Sequence, residues 1–380
     1  MTSILPAGTT AGRTPVELAD LTTLRVGGPV RLLLEADTTE EFIEALRETD
    51  EKKQPLLVLG GGSNLIASDE PCDLVVIRNR YTHVQTREHH DGTTHVTASA
   101  GMPWDEFVHW TLSEGFSGLE ALSGIPGTVG AAPVQNIGAY GYEVSDNLVS
   151  IRAWDRILSK EVDIAAKDLG LRYRSSMMKR ACERKNHEEY SWGPTSRWVV
   201  TSATFALTRS DLSSPIRYAE LARHIGTENG ERTRAKDLRN AVLHVRQNKG
   251  MVLDPFDHDT WSAGSFFTNP LLTPQEAETL LPPDAPCFPG RGEDAGYVKT
   301  SAAWLIQHSG MFKGWAPQEI CDADGKPRAS LSTKHVLALT NRGHATAADL
   351  EFLARSVRTT VQEHWGITLQ PEPVAVGIRW

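Results

Sequence analysis

Ser265 combines a reactive side-chain type with surroundings in which a hydroxyl could do chemistry. It follows Gly264 and precedes two phenylalanines, so the hydroxyl is held in an apolar surround. A positioned hydroxyl can deliver a proton when a charged neighbour stabilises the oxygen left behind. The segment lacks the G-x-S-x-G pattern of a hydrolase nucleophile, and no His and Asp complete a triad in a recognisable pattern. The alternative is a serine satisfied by backbone in a tight turn.

Arg174 and Glu372 are the charged candidates. Arg174 lies in the run Tyr-Arg-Ser-Ser, and a guanidinium can hold a carboxylate or an enolate through two parallel hydrogen bonds. Glu372 lies between Pro371 and Pro373, which fix its backbone and aim its carboxylate. A surface arginine and an ordinary proline-containing loop are the alternatives for these two positions.

Two glycine-rich segments have the composition of a cofactor cradle. Residues 123–141, SGIPGTVGAAPVQNIGAYG, contain five glycines, two prolines, three alanines and no charged side chain. Peptide N–H groups from Gly127 to Ala132 could point at pyrophosphate oxygens, while the small side chains leave room for a flat ring. This composition favours a large, planar, phosphate-bearing cofactor. A buried structural turn is the alternative.

The second segment, GGGSN at residues 60–64, directly follows a predicted buried strand. Ser63 and Asn64 supply side-chain hydrogen-bonding groups beside three glycines, which predicts a second phosphate cradle. The pattern is neither a Rossmann fingerprint nor a Walker A motif, because the required glycine spacing, acidic partner and lysine are missing. A hairpin or bulge loop is the alternative.

Composition limits the class of protein. The 380 residues indicate two or three domains or one large composite domain. Hydrophobic residues make up 40%, and no apolar run approaches the ~20 residues of a membrane span, so we expect a soluble protein without a membrane partner. No secretory signal is evident, which predicts a cytoplasmic location. The net charge of −9 argues against nucleic-acid binding, and four scattered cysteines indicate neither a disulfide framework nor a metal site.

Hydrophobic periodicity and capping signals place these motifs on predicted elements. Helices are expected over residues 38–47, 104–114, 216–224, 236–249, 301–308 and 346–365, with another beginning at 273. Strands are expected over residues 31–35, 56–59, 74–77, 95–100, 148–155, 198–207 and 334–340. Residues 181–197 are polar without periodicity, which predicts a surface excursion, and a domain boundary is expected within residues 227–234.

Taken together, LGGGSN, SGIPGTVGAAPVQNIGAYG, YRSS, AGSFFTNP and LQPEP resemble, in this order, the UDP-N-acetylenolpyruvoylglucosamine reductase family, over residues 22–374. The resemblance implies an α+β fold: a non-Rossmann FAD-binding domain of the vanillyl-alcohol-oxidase type plus a C-terminal α+β substrate domain. The corresponding parts are a flexible leader (1–20), an FAD-binding domain of two α+β subdomains (21–210), a substrate-binding domain (235–370) and a tail carrying Glu372 to the active site (371–380).

The resemblance also implies a reaction. NADPH reduces FAD and leaves, UDP-N-acetylglucosamine enolpyruvate enters the same cleft, flavin N5 passes hydride to C3, and a serine protonates C2 to give UDP-N-acetylmuramate for peptidoglycan. The matching serine is Ser265. Arg174 and Glu372 match the residues that flank the substrate carboxylate and stabilise the enolate-like intermediate.

The remaining site residues are carried over by motif. Tyr218, Lys249 and Asn269 match substrate contacts of the subfamily with a tyrosine between its domains, and a monomer is expected. The residues that match cofactor contacts are Leu59, Gly60, Gly61, Gly62, Ser63, Asn64, Gly124, Gly127, Thr128, Gly130, Ala131, Asn136, Ile137, Gly138 and Ala139. Two alternatives stay open: another flavin oxidoreductase on the same scaffold, such as an alcohol or sugar oxidase, and a non-catalytic nucleotide-binding protein.

Overall fold

The computed structural model describes residues 16–183 and 192–380. The strands are β1 (Val30–Ala36), β2 (Leu56–Val58), β3 (Leu65–Ala67), β4 (Cys72–Asn79), β5 (Val84–Glu88), β6 (Thr94–Ser99), β7 (Phe116–Ser117), β8 (Gly138–Ala139), β9 (Tyr142–Glu143), β10 (Leu148–Asp155), β11 (Lys160–Ala165), β12 (Trp198–Arg209), β13 (Leu271–Leu272), β14 (Cys287–Pro289), β15 (Val298–Thr300), β16 (Ala329–Leu331), β17 (Leu339–Asn341) and β18 (Val374–Val376). The helices are α1 (Thr39–Glu51), α2 (Trp104–Ser113), α3 (Met177–Glu183), α4 (Ala219–Ile225), α5 (Ala235–Asn248), α6 (Pro274–Leu280), α7 (Ala302–His308) and α8 (Ala347–Trp365).

A small parallel sheet, in the order β1-β4-β2, carries the first glycine loop at the end of β2. Helix α1 covers this sheet. The hydroxyl of Thr38 accepts the N–H of Glu41 and caps the helix, as predicted, and Phe42 and Leu46 are buried against the strands. The loop that follows β2 is therefore held at the edge of a packed layer.

A larger antiparallel sheet, in the order β11-β10-β12-β6-β5, forms the opposite wall of the cleft, and β7 pairs with the end of β12. Helix α2 packs on this sheet through Trp104 and Phe107, both fully buried. Their rings meet Phe205 of β12 with centroids 5.8 and 5.3 Å apart. The second glycine segment leaves this core and runs along the cleft.

The C-terminal part is built around α8, whose predicted apolar stripe is correct. Leu350, Leu353 and Val357 are fully buried against α7 and the β16–β17 hairpin. Thr346 and Asp349 form a reciprocal capping box at its start, and Gly366 ends it with φ +69°. No helix within the described ranges is long and apolar enough to span a bilayer.

The tail returns to the first glycine loop. Strand β18 pairs in parallel with β3, and the N–H of Val374 donates to the carbonyl of Asn64 at 3.0 Å. Two residues earlier, the N–H of Glu372 donates to the carbonyl of Phe266 at 2.8 Å. Glu372 is thus held between the cofactor loop and the segment that carries Ser265.

Several expectations require correction. The strand predicted over residues 334–340 is wrong in its first part: only Leu339–Asn341 is strand, and a turn precedes it. The helix predicted from 216 begins at Ala219, and strands β5 and β11 were not predicted. Residues 184–191 lie outside the described residues, but Thr195 and Ser196 are buried, so this end of the predicted excursion is not surface. Most of the predicted leader also lies outside the described residues, whereas Leu18 within it is fully buried.

Candidate active site

A cleft of about 210 Å³ lies between the two sheets. A site for one water needs about 10–15 Å³ on this measure, so the cleft has room for a large ligand. The cofactor residues predicted from the sequence that line it are Leu59, Gly60, Gly61, Gly62, Ser63, Asn64, Gly127, Thr128, Gly130, Ala131 and Ile137. Sequence reasoning missed the walls contributed by the two sheets, by the start of α2 and by the segment before β12, among them Leu57, Asn79, Trp104, Thr195, Ser196 and Val200.

The two glycine segments lie against each other at the mouth of this cleft. A Cβ on Gly61 would lie 2.9 Å from the Cα of Gly127, and one on Gly60 would lie 2.9 Å from Oγ1 of Thr128. These distances are shorter than real side chains permit, so glycine is required at both positions. The two cradles predicted separately therefore form one site.

The backbone N–H groups that are available to bind phosphate are not the ones predicted. The N–H groups of Val129, Gly130, Ala131 and Ala132 donate to protein carbonyls, so most of the donors predicted in residues 127–132 are already used. In the first loop, by contrast, none of the hydrogen bonds within the described residues uses the N–H groups of residues 60–63. The first loop is therefore the better anion-binding element.

The cleft also contains a buried donor that has no partner. Nδ2 of Asn79 is buried without a hydrogen bond within the described part of the chain, while Oδ1 of the same residue accepts the N–H of Tyr81 at 2.9 Å. An unpaired buried polar group costs about 1–3 kcal/mol, so such a group facing a cleft indicates a missing ligand acceptor. Free volume, unused N–H groups and this orphaned amide together fit a cofactor with a flat polar ring and phosphates, as FAD has.

Arg174 and Glu372 form a partly buried ion pair beside the cleft. Nε of Arg174 lies 3.1 Å from Oε1 of Glu372, and the side chains are 21% and 14% exposed. Nη2 of Arg174 donates to the carbonyl of Gly138 at 2.7 Å. Burial alone would lower the pKa of Arg174, but Glu372, together with Tyr173 and Glu143, more than offsets this and raises the pKa above its usual value. The guanidinium is a permanent positive charge in a sheltered position.

The turn that carries Arg174 is strained. The backbones of Arg172 and Ser175 exchange two hydrogen bonds of 3.0 and 3.1 Å, and Arg174 at the tip has φ +53°. A non-glycine residue in this region costs on the order of 1 kcal/mol and persists where the surroundings enforce it. Asn136 contributes to this, because its Nδ2 donates to the carbonyl of Arg172 at 3.0 Å.

Four predicted cofactor residues do not line the cleft: Gly124, Asn136, Gly138 and Ala139. Asn136 is fully buried, and its amide also donates to Glu143 and accepts from the N–H of Ser145. Gly138 accepts from Arg174. The structure thus uses Asn136 and Gly138 to hold the arginine turn, and their contact with the cofactor stays a prediction.

The segment that carries Ser265 contacts the backbone of Glu372. The carbonyl of the adjacent Phe266 accepts the N–H of Glu372, as described above, and the N–H of Phe266 donates to the carbonyl of Leu337 at 2.7 Å. Oγ of Ser265 lies 3.4 Å from Nε2 of His335, a residue that sequence reasoning missed because a strand was predicted there. Glu372 therefore links the two regions: its carboxylate pairs with Arg174, and its backbone N–H bonds to the segment that carries Ser265, whose own side chain contacts His335.

The predicted substrate contacts lie in two separate places. The N–H of Asn269 donates to the phenol oxygen of Tyr173 at 3.4 Å, and its Oδ1 accepts from Ala302 at 3.0 Å, leaving its NH₂ group to donate. Lys249 is paired with Glu220 through Nζ at 2.5 Å. Tyr218 is 42% exposed and packs edge-on against Tyr140 at the rim. Asn269 adjoins the arginine turn, whereas Tyr218 and Lys249 lie around α4.

The fold and the cleft define an FAD-dependent oxidoreductase. Residues 30–156 match the family described as FAD binding domain, and residues 254–376 match the family described as UDP-N-acetylenolpyruvoylglucosamine reductase, C-terminal domain. FAD as the cofactor, predicted from the sequence, is confirmed, and so is the fold class in outline: an α+β chain made of an FAD-binding domain and the C-terminal domain of this reductase family.

Relatives extend the match to the whole chain. UDP-N-acetylenolpyruvoylglucosamine reductase from Thermobifida fusca (strain YX) is 46% identical over 378 residues, covering 97% of this chain and 99% of that protein. The protein of the same name from Cutibacterium acnes is 45% identical and covers 97% and 91%. The crystal structure of the reductase from Thermus caldophilus superposes with a TM-score of 0.59 at 25% identity, covering 96% of this chain and 98% of that one. The chain belongs to the UDP-N-acetylenolpyruvoylglucosamine reductase family, as its motifs predicted.

Proposed function

We propose that the chain reduces UDP-N-acetylglucosamine enolpyruvate to UDP-N-acetylmuramate, a step of peptidoglycan synthesis, with NADPH as the source of electrons. The observation that carries the proposal is the Arg174–Glu372 pair beside the FAD cleft, linked to the Ser265 segment by the backbone of Glu372. It supplies a cation for a carboxylate and a hydroxyl for protonation at one place. Bound FAD would take up the hydride of NADPH and release it to C3 of the enol ether.

Arg174 binds the carboxylate of the substrate. Its Nη2 donates to the carbonyl of Gly138 and its Nε forms the ion pair with Glu372, and within the described residues Nη1 has no hydrogen-bond acceptor and is available for a substrate oxygen. Hydride addition at C3 moves negative charge onto this carboxylate, so a fixed cation lowers the barrier where the charge develops. Glu372 orients the guanidinium through the ion pair. Because the backbone of Glu372 bonds to Phe266, the orientation of Arg174 is coupled to the position of Ser265.

Ser265 protonates C2, and the rim residues bind the remainder of the substrate. The NH₂ group of Asn269 and the ammonium of Lys249 are donors suited to the diphosphate of a UDP-sugar, and Tyr218 offers an exposed ring at the edge of the site. Lys249 must leave Glu220 to make this contact. These assignments, like the tyrosine subfamily, rest on the motifs and on the arrangement described above.

The experiment separates the two half-reactions in the purified holoenzyme under anaerobic conditions. NADPH is expected to bleach the oxidised-flavin absorption, and the enolpyruvyl substrate is expected to restore it. Ser265→Ala should leave the bleaching rate unchanged while slowing recovery by on the order of 10²–10⁴-fold, because only the second half-reaction needs the proton.

Ser113→Ala is the matched control, since Ser113 is an exposed serine on α2 and both rates should stay at the wild-type value. Equal losses in both half-reactions of Ser265→Ala would contradict the proton-donor role. A wild-type flavin that NADPH reduces but the substrate does not reoxidise would contradict the proposed function itself.

A further inference from the structure

His335 is held next to Ser265 by a tight turn. Oγ of Ser265 has no hydrogen-bonding partner within the described ranges other than Nε2 of His335, at 3.4 Å. The turn joins β16 to β17, and the hydroxyl of Ser332 accepts the N–H groups of Lys334 and His335 at 3.0 and 3.2 Å. The N–H of Ala338 donates to the carbonyl of His335 at 3.0 Å and closes the turn. The backbone of His335 is thus fixed by contacts within its own loop.

The charges around the imidazole keep it neutral. Lys249 and Arg246, at the C-terminal end of α5, and Lys313, after α7, are the cations around it, and Glu220 is the opposing anion. Burial lowers the pKa of His335, and these cations lower it further, to about 4. At neutral pH the ring therefore carries one N–H and no net charge.

The direction of the hydrogen bond between Ser265 and His335 decides where the serine O–H points. If Nε2 accepted, the serine O–H would point at the imidazole and away from the substrate. If Nε2–H donates, Oγ accepts and its own hydrogen is free to point into the cleft. Only the second arrangement suits a serine that protonates carbon.

We propose that His335 is a positioning residue for the Ser265 hydroxyl, donating Nε2–H to Oγ so that the serine proton faces C2 of the substrate. This inference rests on the proposed function. As the C2–H bond forms, the Ser265 O–H bond breaks and its electron pair stays on Oγ. Water afterwards restores the proton, and His335 keeps its own throughout.

The contact strengthens as the reaction proceeds. A hydrogen bond to an ionised oxygen is shorter and roughly twice as strong as one to a neutral oxygen. At 3.4 Å the contact is long, and catalytic hydrogen bonds commonly tighten only in the Michaelis or transition-state complex. The cations that keep the imidazole neutral also favour the negative oxygen. The same surroundings thus serve both residues.

The test uses the two half-reactions of the holoenzyme in anaerobic stopped flow. His335→Leu should slow flavin reoxidation by the enolpyruvyl substrate by about 10²–10³-fold, the cost of losing one donor to a developing oxyanion, while reduction by NADPH stays within about twofold. His335→Gln should recover most of the rate, because its amide N–H can donate at a similar position. His364→Leu, at an exposed position on α8, is the matched control and should leave both rates unchanged.

A double-mutant cycle tests whether His335 acts through the serine. In the Ser265→Ala background, His335→Leu should slow the residual reoxidation no further. A full additional loss in that background, or failure of His335→Gln to restore the rate, would overturn the inference. A wild-type enzyme that the substrate does not reoxidise would overturn the proposed function as well, so the two failures are distinguishable.

Discussion

His335→Gln is predicted to make folding stability less sensitive to mild acid. Burial and the neighbouring lysines hold the pKa of His335 at about 4 in the folded protein, against 6.5 for an exposed histidine. Because the folded pKa is the lower one, the unfolded chain binds more protons between these values, and stability falls as the pH falls from about 6.5 to about 4. The difference between the two pKa values corresponds to at most ~3 kcal/mol of unfolding free energy, of which about 2 kcal/mol is lost between pH 7 and pH 5.

The measurement is urea unfolding of the holoenzyme with FAD in constant excess, followed by circular dichroism at pH 7 and at pH 5. The wild type should lose about 2 kcal/mol more unfolding free energy over this interval than His335→Gln, because glutamine does not titrate. His364→Gln should behave as the wild type, since that histidine is exposed. Parallel losses in the wild type and in His335→Gln would refute the reasoning that a neutral imidazole is enforced by burial and charge.

Two further predictions concern FAD, and the measurement for both is the quenching of flavin fluorescence on binding. Asn79→Asp keeps Oδ1 as the acceptor for Tyr81 but replaces the orphaned donor, so the Kd should rise about tenfold, and an unchanged Kd would mean that Nδ2 does not face the cofactor. Gly61→Ala puts a methyl group 2.9 Å from the Cα of Gly127, and an overpacking cost of about 1–3 kcal/mol should raise the Kd by roughly 5–150-fold. Gly92→Ala has open space around its Cβ position and strains only the turn between β5 and β6, at φ +84°, which does not line the cleft, so the Kd should stay unchanged.

The sequence predicted those elements whose signals are local. The caps at Thr38 and Thr346 and the apolar stripe of α8 depend on residues within a few turns, and the structure has them as expected. The turn before β17 was missed because its conformation depends on contacts with residues distant in the sequence. Its apolar residues predicted a strand, whereas the Ser332 hydroxyl and the hydrogen bond from the N–H of Phe266 to the carbonyl of Leu337 set its conformation. With the turn missed, His335 was missed too.

The composition of the two glycine segments predicted a cradle but not which of its groups are free. Cofactor binding depends on donors left unused, and that becomes visible only once every carbonyl nearby has been assigned. The N–H groups of Val129 and its neighbours donate to protein carbonyls, whereas those of residues 60–63 make no hydrogen bond within the described residues. Asn79 gave no signal in the sequence either, because an asparagine at the end of a strand is ordinary until its amide is found buried and unpaired.

The tail explains why residues from three distant parts of the sequence can act as one site. Within three residues of chain, the N–H of Glu372 bonds to the serine segment and the N–H of Val374 bonds to the carbonyl of Asn64 in the cofactor loop. The side chain of Glu372 meanwhile holds Arg174. Backbone hydrogen bonds do not depend on side-chain rotamers, so the main chain of the tail fixes the spacing between the cofactor loop and the proposed proton donor's segment, and the Glu372 side chain adds the proposed carboxylate clamp. That is the precision a reaction at two adjacent carbons requires, because misplacement by about 1 Å can cost on the order of 10²-fold in rate.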